Sequence, residues 1–167
     1  VTNGDYPQTM RSLVGKRLPE FSDEQSLLLK GSYDFLGLNY YTGHYAEHAP
    51  EFMDEKPSYK FDSIARLTPE RHDGPIGEKA GSDWLYVYPR GIYDLLLHIK
   101  EKYNDPIIYI TENGVDEADD PDKTPEEASA DGKRIEYYYD HLTFIQQAIG
   151  KEVRLRGYFA WSLLDNF

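Results

Sequence analysis

Apolar residues recur at helical spacing over two long stretches and run almost unbroken over three short ones. From Pro89, a residue favoured at the first helical position, Ile92, Leu95, Leu96, Ile99 and Tyr103 follow an i, i+3, i+4, i+7, i+11 pattern with one apolar face. A second helix is expected over 130–149, with Ile135, Tyr138, Leu142, Ile145 and Ile149 on one side and Gly150 after its end. The short runs are 33–42 (YDFLGLNYYT), 107–111 (IIYIT) and 153–161 (VRLRGYFAW), each read as a buried strand. Ahead of them, 6–14 reads as a helical piece closed by Gly15. Ser22 to Gln25 has the S-x-x-Q spacing of a capping box opening a short helix to Leu29. Residues 44–83 show no clear period and are punctuated by Pro50, Pro57, Pro69 and Pro75. The loop after 114, rich in Asp, Glu and Pro, is expected to be solvated and exposed.

Strand, loop and helix, strand, loop and helix, strand is the order of parallel βαβ units with covering helices. Three strands make neither a closed barrel nor a comfortable open sheet, so the architecture reads as incomplete. The final run, LRGYFAWSLLDNF, stops within apolar and aromatic residues, and both ends read as cut.

Composition narrows the function classes. The chain has 167 residues, room for one ordinary domain. Its net charge of -12 argues against nucleic acid or anionic lipid, which both demand a basic face. With no run near 18 apolar residues, a membrane span is not expected. Absence of cysteine excludes a disulfide framework and a thiolate zinc site, and no cofactor is expected. Fifteen tyrosines suit amphipathic surfaces, sugar sites among them, although ordinary helix and core faces use them too.

Each expected strand ends in polar residues: Asn39-Tyr40-Tyr41, Thr111-Glu112-Asn113, and Trp161-Ser162 with Asp165-Asn166 beyond. Strand C-termini of parallel α/β folds converge on the active site, which groups Tyr41, Glu112 and Trp161 despite their separation. Each has an ordinary alternative. Asn39 could cap its strand, Tyr41 pack in the core, Asn113-Gly114 form a common turn, and Trp161 act as a buried wedge. Glu112 is different, because a carboxylate ending a buried strand needs either an Arg or Lys partner or a task.

The segment Ile110-Thr111-Glu112-Asn113-Gly114 resembles the I-T-E-N-G signature of family 1 glycoside hydrolases, the β-glucosidase family. FLGLNYYT (35–42) resembles that family's sixth barrel strand and GYFAWSLLDNF (157–167) its eighth. GDYPQTMRSLVGKRLPEFS and GSDWLYVYPRGIYDLL resemble eukaryotic, especially plant, members. The resemblance implies the C-terminal portion, strands six to eight, of a (β/α)8 TIM barrel, with residues 1–167 forming one partial glycosidase domain. It also implies retaining hydrolysis of a β-glycoside substrate through a covalent glycosyl-enzyme. Glu112 matches the family nucleophile and Tyr41 the tyrosine whose hydroxyl approaches it. Asn39 matches the amide of the same pocket, and Trp161 the tryptophan lining the glycone site.

The departures imply as much. The family's acid/base Glu sits in a T-x-N-E-P motif, and no N-E-P occurs here. The sugar-reading residues of the early strands are absent, and the Glu-Trp that follows DNF in the family lies beyond Phe167. Asp116 and Glu117, near in sequence, fall in the acidic loop with nothing to make them proton donors. The isolated chain is thus expected to be inactive alone and to need the remainder of the barrel, or a second copy, to cover its edges. The alternative is a non-catalytic or designed barrel fragment that binds sugar or self-associates. The 44–83 stretch is a candidate for part of the aglycone region.

Overall fold

The computed structural model describes residues 1–164, in two compact units: 1–34 with 45–68, and 35–44 with the chain from 69 onward. Asp165 and Asn166 lie outside the described residues.

The first unit is built from short elements. A helix spans Gln8–Val14 and ends at Gly15, whose φ of 61° is in the left-handed region that favours glycine. A second helix, Asp23–Leu29, opens on the expected capping box, in which Ser22 Oγ accepts from the Gln25 N–H and the Gln25 side chain accepts from the Ser22 N–H. Residues that looked patternless form an antiparallel hairpin, Tyr45–His48 with Ala65–Thr68. Strands of four residues are too short for period-2 alternation to stand out from the prolines and charges around them. Arg17 clamps Asp62 with two bonds of 2.9 and 2.7 Å, and Phe52 meets Phe61 edge-on.

The second unit carries the parallel βαβαβ order. Strand β1 (Leu36–Asn39) is followed by two small hairpins within 70–87 and then by helix α1 (Pro89–Lys102). Strand β2 (Ile108–Asn113), helix α2 (Gly132–Ile149) and strand β3 (Leu155–Ala160) complete it. The strands form one parallel sheet in the order β1-β2-β3. Asn104 and Asp105, both at positive φ, turn the chain from α1 into β2; short polar side chains tolerate that region best.

Both helices pack on one face of the sheet, and the core lies between. Ile92, Leu96 and Ile99 of α1 meet Ile108 and Ile110 of β2 and Ile145 and Ala148 of α2, all buried. Burial of each such side chain contributes about 1.5–3 kcal/mol. Lys100 of α1 donates to the carbonyls of Lys151 and Glu152, both at 2.9 Å, and fixes the turn between α2 and β3.

Helix α2 is rotated from the expected stripe. Its buried residues are Tyr137, His141, Ile145 and Ala148, whereas Ile135, Leu142 and Ile149 are exposed. Periodicity weighs only hydrophobicity, but the Tyr137 hydroxyl finds polar partners inside and the His141 ring stacks on Tyr137, so both take the core face and Ile135, Leu142 and Ile149 stay outside. On α1 the stripe holds through Ile99, and Tyr103 lies beyond the helix end, partly exposed. The acidic loop is exposed as expected and contains one short helix, Pro125–Ala128, behind a Thr124/Glu127 capping box.

Candidate active site

Strand β2 has one residue more than its neighbours near its C-terminal end. Against β1, Leu38 pairs with Ile110 and Asn39 with Glu112; against β3, Ile110 pairs with Tyr158 and Asn113 with Ala160. This is a bulge at 111–112, and it resets the alternation of faces. Ile108 and Ile110 point into the helix-covered core, and simple period 2 would send Glu112 after them. The extra residue places Asn113 in that buried slot and leaves Glu112 only partly buried, in contact with Tyr41. A carboxylate in the continuous apolar run is thereby kept out of the core.

Glu112 Oε2 accepts a hydrogen bond from the Tyr41 hydroxyl at 2.6 Å. Its partner is therefore a phenol, where a purely structural carboxylate would call for Arg or Lys. Burial, and then the bond to Glu112, push the Tyr41 hydroxyl well above the ordinary tyrosine range, so it stays protonated and acts as donor. Asn39 lies opposite Glu112 in the β1–β2 register, and its Oδ1 accepts from Thr111 Oγ1 at 2.6 Å. The Trp161 N–H donates to the Asn113 carbonyl at 2.9 Å, which fixes the tryptophan at the end of β3. Gly114 is obligatory at this junction, because a Cβ there would lie 2.0 Å from the Trp161 carbonyl oxygen.

Next to Glu112, Asn113, which with Gly114 has the sequence of a common turn, is instead the centre of a polar cluster. Asn113 is fully buried; its Nδ2 donates to the Tyr40 carbonyl (2.8 Å) and to the Tyr137 hydroxyl (2.9 Å), and its Oδ1 accepts from the Tyr158 hydroxyl (2.7 Å). One amide thus joins β2 to β3, to α2 and to the residue that follows β1. The Tyr137 ring stacks on His141 with centroids 3.9 Å apart, and His141 Nδ1 lies 2.7 Å from the Tyr137 carbonyl. Burial lowers the His141 pKa and keeps the imidazole neutral.

Tyr41 borders an open cleft of about 760 Å³ that is also lined by Trp84, Trp161, Asp116, Glu117 and Arg134 among others. Of the four expected site residues, Tyr41 and Trp161 line it, Glu112 is bonded to Tyr41, and Asn39 is held beside Glu112 through Thr111. Trp84 was not singled out by its sequence context, yet it meets Tyr41 edge-on at 5.9 Å. With Trp161 it places both tryptophans of the chain on this cleft. Glu117 is bonded to Lys123 at 3.0 Å, which holds its carboxyl below the usual range, the opposite of what a proton donor needs. Among the described residues, no group of three His, Asp or Glu side chains could hold a metal ion, and no helix is long and apolar enough to cross a membrane.

Comparison with known proteins gives a consistent picture. The chain is 55% identical over 164 residues to beta-glucosidase 12 of Oryza sativa subsp. indica, covering 98% of this chain and 32% of that protein. It superposes on the crystal structure of a rice beta-glucosidase with a TM-score of 0.91 at 43% identity, covering 98% of this chain and 35% of that one. A mutant of that rice enzyme, in a covalent complex with Glc, superposes with a TM-score of 0.87 at 42% identity, covering the same shares. The chain spans about a third of the length of these relatives. The family model for glycosyl hydrolase family 1 matches all of residues 1–167. The solved β-glucosidases it superposes on are (β/α)8 barrels, and the chain belongs with them to glycosyl hydrolase family 1.

Proposed function

We propose that this chain supplies strands six to eight of a β-glucosidase-like barrel, as one partial domain over 1–167, and that Glu112 is the nucleophile of a retaining β-glycosidase. The observation that carries the reading is the Glu112–Tyr41 pair, a carboxylate swung out of the core by a bulge and held by a phenol at 2.6 Å. Such a contact aims one oxygen and leaves the other free. The free oxygen attacks the anomeric carbon as the bond to the leaving oxygen breaks, and a glycosyl ester forms on Glu112. A second carboxyl protonates the departing oxygen, then takes a proton from water as that water displaces Glu112 and returns the sugar with its original configuration. Trp161 offers an indole face for sugar C–H groups, and Asn39, fixed by Thr111, an amide for a hydroxyl.

The acid/base carboxyl has to sit about 5–5.5 Å from the nucleophile, and Glu117, tied to Lys123, is unfit for it. It comes from the rest of the barrel. The surface fits that need: Phe35, Phe159 and Leu163 are 52, 57 and 95% exposed, and β1 and β3 each present an unpaired edge. A second reading, a non-catalytic sugar-binding or self-associating fragment, draws on the same exposed residues.

An aryl 2-deoxy-2-fluoro-β-glucoside with an activated leaving group separates the two, because its first step needs no proton donor while the glycosyl ester accumulates. Incubated with the complete barrel, it is expected to add one fluorosugar mass to the peptide containing Glu112, and Glu112→Gln is expected to abolish the adduct. Labelling elsewhere, or none, would overturn the nucleophile assignment and favour the non-catalytic reading.

A further inference from the structure

We propose that Tyr137, on helix α2, is a positioning residue for this reaction: its hydroxyl sets the placement of Tyr41 against Glu112. The inference rests on the nucleophile reading above and concerns what holds the pair rather than what the pair does.

The hydrogen-bond directions around Tyr137 follow from one fixed point. The Tyr40 carbonyl can only accept, so the Asn113 atom 2.8 Å from it is the amide nitrogen. The second hydrogen of that nitrogen then points at the Tyr137 oxygen, 2.9 Å away, which must accept it. Tyr137 has one proton, and it is directed at the Tyr41 carbonyl at 3.2 Å. The Asn113 Oδ1 is left to accept from Tyr158. The chain of donors runs one way, Asn113 to Tyr137 to Tyr41, with each polar atom used.

That hydroxyl touches the backbone of Tyr41 and the side chain adjacent to Glu112, the two halves of the catalytic pair. Elsewhere a strand ladder would hold them in step, but here it does not suffice. Strand β1 ends at Asn39, the bond from Tyr40 N–H to the Glu112 carbonyl closes the β1–β2 ladder, and Tyr41 lies beyond it. Register also shifts at this level, so strand pairing alone does not set the distance between the phenol and the carboxylate. Tyr137 is 2% exposed, and its ring is immobilised by stacking on His141. A rigid side chain from the covering helix replaces the missing ladder bond.

The test is the rate of Glu112 labelling by the activated fluoroglucoside in the complete barrel. Tyr137→Phe keeps the ring and its stack and removes only the hydroxyl. Labelling is expected to slow on the order of tenfold, because the Tyr41 hydroxyl is no longer held in place against Glu112, with glucose affinity unchanged within about twofold. In a Tyr41→Phe background, the same substitution is expected to cost less than about twofold, because its effect passes through Tyr41. Tyr40→Phe, which removes a hydroxyl bonded to the Tyr88 carbonyl, is the control for general destabilisation and should leave the rate within about twofold. Replacing Tyr137 by 4-aminophenylalanine, which restores a donor, should recover most of the rate, and it decides the matter if Tyr137→Phe fails to fold. An unchanged rate in Tyr137→Phe, an equal loss with and without Tyr41, or no recovery by the amino analogue would overturn the proposal. Absence of any adduct on Glu112 in the unsubstituted protein would instead overturn the nucleophile reading.

Discussion

Asn113 offers the sharpest test of the architecture behind Glu112. Its side chain is fully buried and makes three hydrogen bonds, to Tyr40 just past β1 (2.8 Å), Tyr158 of β3 (2.7 Å) and Tyr137 of α2 (2.9 Å). In Asn113→Ala all three are lost. At about 1 kcal/mol net per bond, the loss is about 3 kcal/mol. A small cavity and a Tyr40 carbonyl without its donor raise the expected cost to about 3–5 kcal/mol, a large fraction of a typical domain's 5–15 kcal/mol, roughly. Tyr158→Phe removes one of the three bonds and should cost about 1 kcal/mol. Both tryptophans, Trp84 and Trp161, lie in the unit that contains the sheet, so urea unfolding followed by tryptophan emission reads that unit alone. If Asn113→Ala shifts the stability no more than Tyr158→Phe does, the amide is not the joint between the strands, and the reasoning fails. Asn113→Asp adds an independent arm. The ionised carboxylate has no proton for the Tyr40 carbonyl, so this variant should be weakest at neutral pH and recover as acidification restores one donor.

Further outcomes are expected. Tyr41→Phe removes the 2.6 Å bond to Glu112; a hydrogen bond to a charged group is worth about 1.5–3 kcal/mol, so glycosyl-enzyme formation should fall roughly 10- to 150-fold, measured as the labelling rate, with little loss of fold. Burial holds the His141 pKa below its ordinary 6.5, so the unfolded chain binds the extra proton first. The stability this gives is complete above about pH 6.5 and declines as pH falls from there toward the folded pKa; urea midpoints at pH 7.5 and 5.5 should show it, and His141→Gln should flatten that part of the slope. Gly114→Ala puts a Cβ 2.0 Å from the Trp161 carbonyl, which forces β2 and β3 apart; a loss of about 2–3 kcal/mol is expected, and a neutral result in the same unfolding assay would show that the close approach is not needed.

The sequence by itself determined the strand–helix–strand–helix–strand order of the sheet unit and the candidate residues proposed here for the chemistry. Parallel strands covered by helices must be apolar along their length, so β1, β2 and β3 stood out as unbroken runs, and the polar residues at their ends named Asn39, Tyr41, Glu112 and Trp161. Helix α1 was legible for a related reason: its buried residues are aliphatic and keep one period from Ile92 to Ile99. Tertiary structure decided what a linear pattern does not carry. Helix α2 turned a tyrosine and a histidine inward and left Ile135, Leu142 and Ile149 outside, because buried partners for Tyr137 exist only once β1 and β2 are in place. The bulge that keeps Glu112 out of the core is a mismatch between strands, visible only when all three are paired. Asn113 looked like half of a turn; folded, it is the joint of the sheet, since its partners lie 73, 24 and 45 residues away. Residue types set which groups are available for the reaction, and long-range pairing sets which way they face.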